Sequence, residues 1–175
     1  MTSKIHSIKM SGDKVIPVTI EVKISSGIGI HIVGLSDQNL KETLLRTITA
    51  MQNLGFTIPA KKITINIAPA DLTKTAEYYD LPIAAGIIAA SGQMELPFLE
   101  YYIVAGKLKL DADVHGDIDP YAAAEAAKKM DLKGCILPEE SAIRITDTPA
   151  VPVYGRNRLR DILSILTWHP KPINL

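Results

Sequence analysis

TINIAPADLTKTAEYYDLPIAAGIIAASG, residues 64–92, is the stretch from which the fold can be worked out. Its first residues complete KITINI, residues 62–67, where apolar and polar residues alternate as in a strand with one buried face. The next segment, APAD at residues 68–71, predicts a tight turn, because proline and aspartate favour turn geometry. Asp80 then stands where it can cap a helix, with Pro82 in the first turn. The stretch therefore predicts a strand, a turn and a largely apolar helix.

Upstream of this stretch, the same alternation predicts two strands, at residues 15–24 and 28–34. A helix is expected to follow, capped by Ser36 or Asp37 and running to about Leu54. Its apolar positions recur every three or four residues, which predicts one buried face. These positions are Leu40, Leu44, Ile48 and Met51.

Downstream, the pattern predicts shorter elements. Residues 101–110 read as one strand or a bent pair, residues 120–130 as an alanine-rich helix, residues 134–138 as a short strand and residues 157–166 as a last helix. Helices and strands do not alternate strictly, so the residue pattern alone indicates a mixed α and β protein.

Length and composition indicate one globular unit. With 175 residues, 47% of them hydrophobic, the chain can bury one sizeable core, and we expect a single domain over residues 1–168 with a flexible tail or linker stub at 169–175. Lys+Arg and Asp+Glu both number 19, so no overall charge draws the chain to nucleic acid or anionic lipid. The single cysteine, Cys135, lies in an apolar run, and no segment reads as a signal peptide or membrane span. We therefore expect a cytoplasmic protein without membrane contact.

Two segments together resemble a known family: residues 64–92 and GIGIHIVGLSDQNLKE at residues 27–42. They resemble the ChlI-like N-terminal domain of magnesium-chelatase-like AAA+ proteins of the ComM/YifB competence type, and the resemblance covers most of the chain. The matching positions are Gly34, Leu35, Asp37, Lys41, Glu42, Asn66, Ala68, Pro69, Ala70, Asp71, Lys74, Asp80, Leu81, Pro82, Gly86, Ser91 and Gly92.

The resemblance implies both a fold and a role. The implied fold is an α+β sandwich of a mixed sheet and helices, similar to domain 2 of ribosomal protein S5 and to the proteolytic domain of Lon proteases. The implied role is that of a non-catalytic domain serving assembly, regulation or substrate engagement for an AAA+ ATPase. The family's motor is associated with DNA processing, so the implied partners are an ATPase, further copies of the domain, and DNA as a candidate substrate.

Enzymatic motifs are incomplete in this sequence. The Lon pattern, laid on DLPIAAG, puts Ile83 at the nucleophile's position and Ala123 at the lysine's, and neither side chain can do that chemistry. A P-loop requires glycine five residues before its Gly-Lys pair and Ser or Thr after it, whereas Gly106-Lys107 has Tyr101 and Leu108 at those places. We expect no enzyme and no cofactor, with a divergent Lon-like peptidase or other hydrolase as the alternative.

Metal binding is also not expected from the sequence. The run LDADVHGDID partly matches a calcium loop beginning at Asp111, but Ala122 replaces the bidentate glutamate and His115 replaces another oxygen ligand. A solvated turn is the simpler interpretation. The histidines lack Cys or His partners at metal-ligand spacing. They are His6, His31, His115 and His169.

Motif position therefore points to a protein interface rather than to a catalytic centre. The candidate interface residues are Pro69, Asp71, Lys74, Tyr78, Tyr79 and Asp80. A stand-alone DNA-binding module is a further alternative, supported by a modest positive bias near the C-terminus that also fits an ordinary charged helix face. The residues of that bias are Arg144, Arg156, Arg158, Arg160 and Lys171.

Overall fold

The computed structural model describes residues 1–71 and 78–168. The predicted tail at residues 169–175 lies outside this part of the chain. The strands are β1 (Thr2–Ser11), β2 (Lys14–Ser25), β3 (Gly29–Leu35), β4 (Lys62–Asp71), β5 (Tyr102–Val104), β6 (Lys107–Leu108), β7 (Val114–His115), β8 (Gly134–Pro138) and β9 (Val153–Arg156). The helices are α1 (Asp37–Asn53), α2 (Asp80–Ala90), α3 (Pro120–Lys129), α4 (Glu139–Ala142) and α5 (Leu159–Trp168), with a 3₁₀ turn at Leu99–Tyr101.

Seven of the described strands form one mixed sheet in the order β3-β4-β2-β1-β5-β8-β9. Strands β1, β2 and β4 pair antiparallel, whereas β3 runs parallel to β4, and β5, β8 and β9 run parallel to one another. Strands β6 and β7 form a separate hairpin. The expected α+β sandwich of a mixed sheet and helices is confirmed.

The two faces of the sheet are covered unequally. Helices α1, α2 and α5 bury one face: α2 packs on β1 and β2, α1 lies beside α2 and β3, and α5 packs on β9. Helix α3 covers β1, β5 and β8 on the other face, where Ile8, Ile103 and Cys135 pack against its alanines. The outer face of β2, β4 and β3 carries exposed side chains such as Glu21 and Lys23. No described helix is long and apolar enough to cross a bilayer.

Most predicted elements are confirmed, including the strands at residues 15–24, 28–34 and 62–67 and the cap of α1 by Ser36. Residues 101–110 form a bent pair, in which β5 joins the large sheet and β6 the hairpin. The sequence reading did not find β1, which pairs with β2 along its whole length.

Two local predictions are wrong, and a third is right only in part. APAD does not form a turn: residues 68–71 continue β4, and the Ala68–Pro69 peptide is cis. Asp80 does not cap α2; Tyr79 is the N-cap, without a side-chain bond, because the Asp80 carboxylate binds elsewhere. Helix α1 does bury one face, as expected, but the predicted residues of that face are partly wrong: Thr43, Thr47 and Ala50 are buried with Met51, whereas Leu40, Leu44 and Ile48 are only partly buried.

Candidate functional site

A buried ion pair lies beneath the candidate interface. Asp80, the first residue of α2, is fully buried, and its two carboxylate oxygens accept hydrogen bonds from Arg46 on α1. The distances are 2.6 Å from Nε to Oδ2 and 3.1 Å from Nη2 to Oδ1. Burial raises the pKa of Asp80, while the bonds from Arg46 and from the Leu108 amide act against that rise. Because bidentate geometry fixes both partners, the pair locks α1 to α2.

The start of α2 is also held by the segment between β5 and β6. The Leu108 amide donates to Asp80 Oδ2 at 3.0 Å. The Gly106 amide donates to the Tyr78 carbonyl, and the Leu81 amide donates to the Gly106 carbonyl, both at 3.1 Å. Residues 78–81 are therefore fixed by backbone bonds as well as by the ion pair.

Tyr78 lies at the surface above this bracing. Its hydroxyl donates to the Asp117 carbonyl at 2.9 Å, and its ring packs so closely on Gly116 that a Cβ there would come within 2.9 Å. The Gly116 amide in turn donates to Glu140 at 2.6 Å, and Ser141 accepts from the Ile118 amide at 3.0 Å. The loop at residues 116–118 is thus held between Tyr78 and α4.

At the other end of the candidate interface, Pro69 is exposed near the end of β4. The pairing of β3 with β4 shifts here: Val33 lies opposite Asn66, but Leu35 lies opposite Asp71. Two steps along β3 therefore correspond to five steps along β4, so the pairing is irregular and β4 contains three extra residues here. Gly34 adopts φ +105° at this shift.

The structure separates the six predicted interface residues into three groups. Pro69 is exposed and Tyr78 is partly exposed, so both can meet a partner. Tyr79 and Asp80 were placed on the interface by motif position, but both side chains are buried. The Asp80 carboxylate turns inward and binds Arg46. The backbone of Asp71 ends β4, whereas the side chain of Asp71 and the whole of Lys74 lie outside the described part.

Arg46 is the residue that the sequence reading missed. Its side chain is only 19% exposed, and it also lies 3.9 Å from Glu42. A charged residue near the buried arc of an amphipathic helix is the signal that could have identified it.

The two positions at which the Lon pattern would place its nucleophile and its lysine lie in the core. Ile83 on α2 and Ala123 on α3 are both fully buried, and they belong to the clusters on opposite faces of the sheet. A cleft of about 510 Å³ lies between β2 and α3, with Asp13, Lys14, Glu125 and Lys129 among its lining residues. These residues come from a turn and two surface elements, and the lining contains no serine, threonine or cysteine that could serve as a nucleophile.

The acidic run forms the turn of the β6–β7 hairpin rather than a helix-flanked loop. Asp111 accepts a hydrogen bond from the Asp113 amide at 3.1 Å, as expected of a turn. Burial lowers the pKa of His115, and the positive charges of Lys107 and Lys109 act in the same direction. In the described part of the chain, no three His, Cys, Asp or Glu side chains are grouped as metal ligands.

The C-terminal arginines do not share one helix face. Arg144 lies just after α4 and pairs with Asp117 at 3.0 Å. Arg156 lies on β9 and Arg160 on α5. The interpretation of these residues as a charged helix face is therefore wrong, and Lys171 lies outside the described residues.

Comparisons with known proteins agree on one family. A family profile described as subunit ChlI of Mg-chelatase matches residues 20–141. A YifB protein of Salmonella typhimurium is 45% identical over 113 residues, which is 64% of this chain and 22% of that protein. A YifB protein of Escherichia coli is 41% identical over 128 residues, which is 73% of this chain and 25% of that protein.

A relative with an assigned role is the competence protein ComM of Haemophilus influenzae. It is 36% identical over 158 residues, which is 88% of this chain and 30% of that protein. The chain therefore spans less than a third of the length of each of these three relatives.

Proposed function

The chain belongs to the magnesium-chelatase ChlI family, as a domain of the ComM/YifB N-terminal type, and on this basis we propose that it is a non-catalytic, cytoplasmic accessory domain of an AAA+ ATPase. Its role is to bind the ATPase and to regulate or assemble it. The observation that supports this proposal is the braced surface around Tyr78, which is held by hydrogen bonds to the segment after β5 and to the loop at residues 116–118.

Rigidity favours a binding role over a catalytic one. A preformed surface loses little conformational entropy when a partner binds, and tyrosine is a common interface anchor because it offers a large area with few rotatable bonds. The alternative of a Lon-like peptidase is disfavoured, since Ile83 and Ala123 are buried and carry no reactive atoms.

We expect the chain to bind a P-loop-containing AAA+ module of a ComM/YifB-type protein and to change its rate of ATP hydrolysis. Titration calorimetry and a phosphate-release assay measure the two effects. Tyr78→Ala should weaken binding at least about ten-fold, as expected for an anchoring tyrosine. Tyr101→Ala is the matched control, because Tyr101 is a tyrosine with an exposed side chain just before the start of β5. Tyr78 lies beyond the other end of that strand, where its carbonyl accepts from the Gly106 amide.

Two results would contradict the proposal. One is the absence of both binding and rate change at tens of micromolar protein. The other is peptide release from unfolded casein, or ATP hydrolysis, by the chain alone. Equal losses from Tyr78→Ala and Tyr101→Ala would retain the binding role but reject the candidate interface.

DNA engagement is a second candidate, favoured by the open face of the sheet. Lys4, Lys23 and Lys62 are exposed on the outer face of β1, β2 and β4. On the described part of this face, Glu21 of β2 lies opposite Lys4 and is the acidic residue among these lysines. Such a face can neutralise phosphates even though the whole chain has no net charge.

If this second candidate is right, single-stranded DNA should bind with an affinity that falls steeply as salt is raised, measured by fluorescence anisotropy. Lys23→Glu should weaken binding and flatten the salt dependence, because it removes one phosphate contact and adds a repulsive charge. Lys41→Glu, on α1 over the opposite face, should have little effect. Electrostatic contacts are screened least at low salt, so failure to bind at about 20 mM salt would exclude the candidate.

A further inference from the structure

Within residues 1–71 and 78–168, strand β3 is an edge of the large sheet that no other strand covers. It pairs with β4 on one side only, regularly over residues 29–33, and its sequence GIHIVGL contains no Asp, Glu, Lys or Arg. Among the described residues, no turn or loop donates a backbone hydrogen bond to it. Val33 is 58% exposed, and Ile28, just before the strand, is 88% exposed. Natural proteins usually protect such edges with charges, bulges or a covering segment, because an unpaired strand recruits another strand.

Helix α1 adds an apolar surface beside the same edge. Its buried residues are Thr43, Thr47, Ala50 and Met51. Leu44 and Ile48 are only partly buried, and Leu45 is 64% exposed. The apolar stripe of this helix is therefore rotated away from the core.

The direction of that rotation follows from the ion pair. Arg46 points to α2, which packs on β1 and β2 in the interior of the sheet. At about 100° per residue, Leu44 and Ile48 lie about 160° around the helix from Arg46. They therefore face away from α2, on the side of α1 toward the β3 edge.

We propose that this edge is the interface between two copies of the chain, formed by antiparallel pairing of β3 with β3. A two-fold axis perpendicular to the sheet would join the two sheets and place both copies of α1 side by side. The exposed parts of Leu44 and Ile48 would then be covered by the same residues of the second copy. This proposal goes beyond the accessory role above and uses a surface separate from Tyr78.

The choice of a second copy rests on self-complementarity. Because β3 carries no charge, two copies can approach without like-charge repulsion, which directly opposed charges would cause. The other edge of the sheet offers no equal partner: β9 has four residues, and the Arg156 side chain donates to the Gly155 carbonyl on that strand. Pairing of β3 with itself therefore matches length and polarity better than pairing of β3 with β9.

Sedimentation velocity across a wide concentration range tests the proposal. The unaltered chain should show a monomer–dimer equilibrium. Val33→Lys and Leu44→Lys should each raise the dimer dissociation constant at least ten-fold, because each places a charge at the two-fold interface. Ile143→Lys is the matched control: Ile143 is 72% exposed and follows α4, which packs on β9 at the opposite edge, so dimerisation should not change.

Hydrogen exchange separates strand pairing from other modes of association. The amides of residues 29–33 should become more protected as protein concentration rises. Ile28 is 88% exposed and precedes β3, so Ile28→Lys should weaken dimerisation with little effect on folding. Thermal unfolding at low protein concentration checks that each variant is folded. A chain that stays monomeric at all concentrations, a dimer without added protection at β3, or equal weakening by Ile143→Lys would overturn the proposal.

Discussion

Replacing Arg46 by alanine is expected to lower the free energy of unfolding by about 3–5 kcal/mol, because it leaves the buried carboxylate of Asp80 without its charged partner. Water that enters the space left by the guanidinium supplies no positive charge, so the carboxylate of Asp80, which is 1% exposed in the parent, loses its ionic partner. The Leu108 amide would remain as a single neutral donor. Urea unfolding followed by circular dichroism measures the loss.

Two variants establish the cause of that loss. Glu42→Ala removes the exposed partner of Arg46, which lies 3.9 Å away, and should cost less than about 0.5 kcal/mol. The double variant Arg46→Met/Asp80→Asn removes both charges but keeps an oxygen for the Leu108 amide, and it should recover much of the stability lost in Arg46→Ala. An Arg46→Ala protein as stable as the parent would show that the pair does not hold α1 to α2.

The regular strands could be predicted because their side chains obey a local rule. In β2, and in β4 as far as Ile67, every second residue is an isoleucine or valine buried in the core cluster beneath the helices, so the two-residue period is visible in the sequence. Strand β1 was missed because its central residues, such as Ser7 and Ile8, are buried on both faces, and burial on both faces removes the alternation.

The APAD segment shows where turn preferences fail. Pro69 and Asp71 have turn-forming tendencies, but β3 already lies beside this segment and pairs with Asp71. The chain accommodates the extra residues as an irregularity within β4. Tertiary pairing, which no local pattern contains, decided the outcome.

The candidate site depends on contacts between residues far apart in the chain. Arg46 and Asp80 are 34 residues apart, and Tyr78 and Asp117 are 39 residues apart. The motif located the start of α2, but it could not show that Asp80 faces inward while Tyr78 stays at the surface. For the same reason, the α1 stripe predicted an apolar face, whereas neighbouring helices determined which part of it is buried.

Gly34→Ala is expected to destabilise the fold by about 3 kcal/mol or more, through backbone strain at a positive φ together with overpacking. Gly34 has φ +105°, and a Cβ built there would overlap the Ile67 carbonyl oxygen. That oxygen belongs to β4 and is fixed by the sheet, so it cannot move aside as the end of a flexible side chain could.

Gly55→Ala separates the two contributions. Gly55 follows α1 with φ +86°, but a Cβ there meets no atom within 4 Å. Its substitution should therefore cost only the conformational penalty, about 1–2 kcal/mol. The expected difference between the two variants is the cost of separating β3 from β4 at the shift in register, and equal losses in urea unfolding would show that the close contact with Ile67 is relieved without cost. Because β3 is also the edge at which we place the second copy, a Gly34→Ala protein that stays folded at low temperature should dimerise more weakly as well.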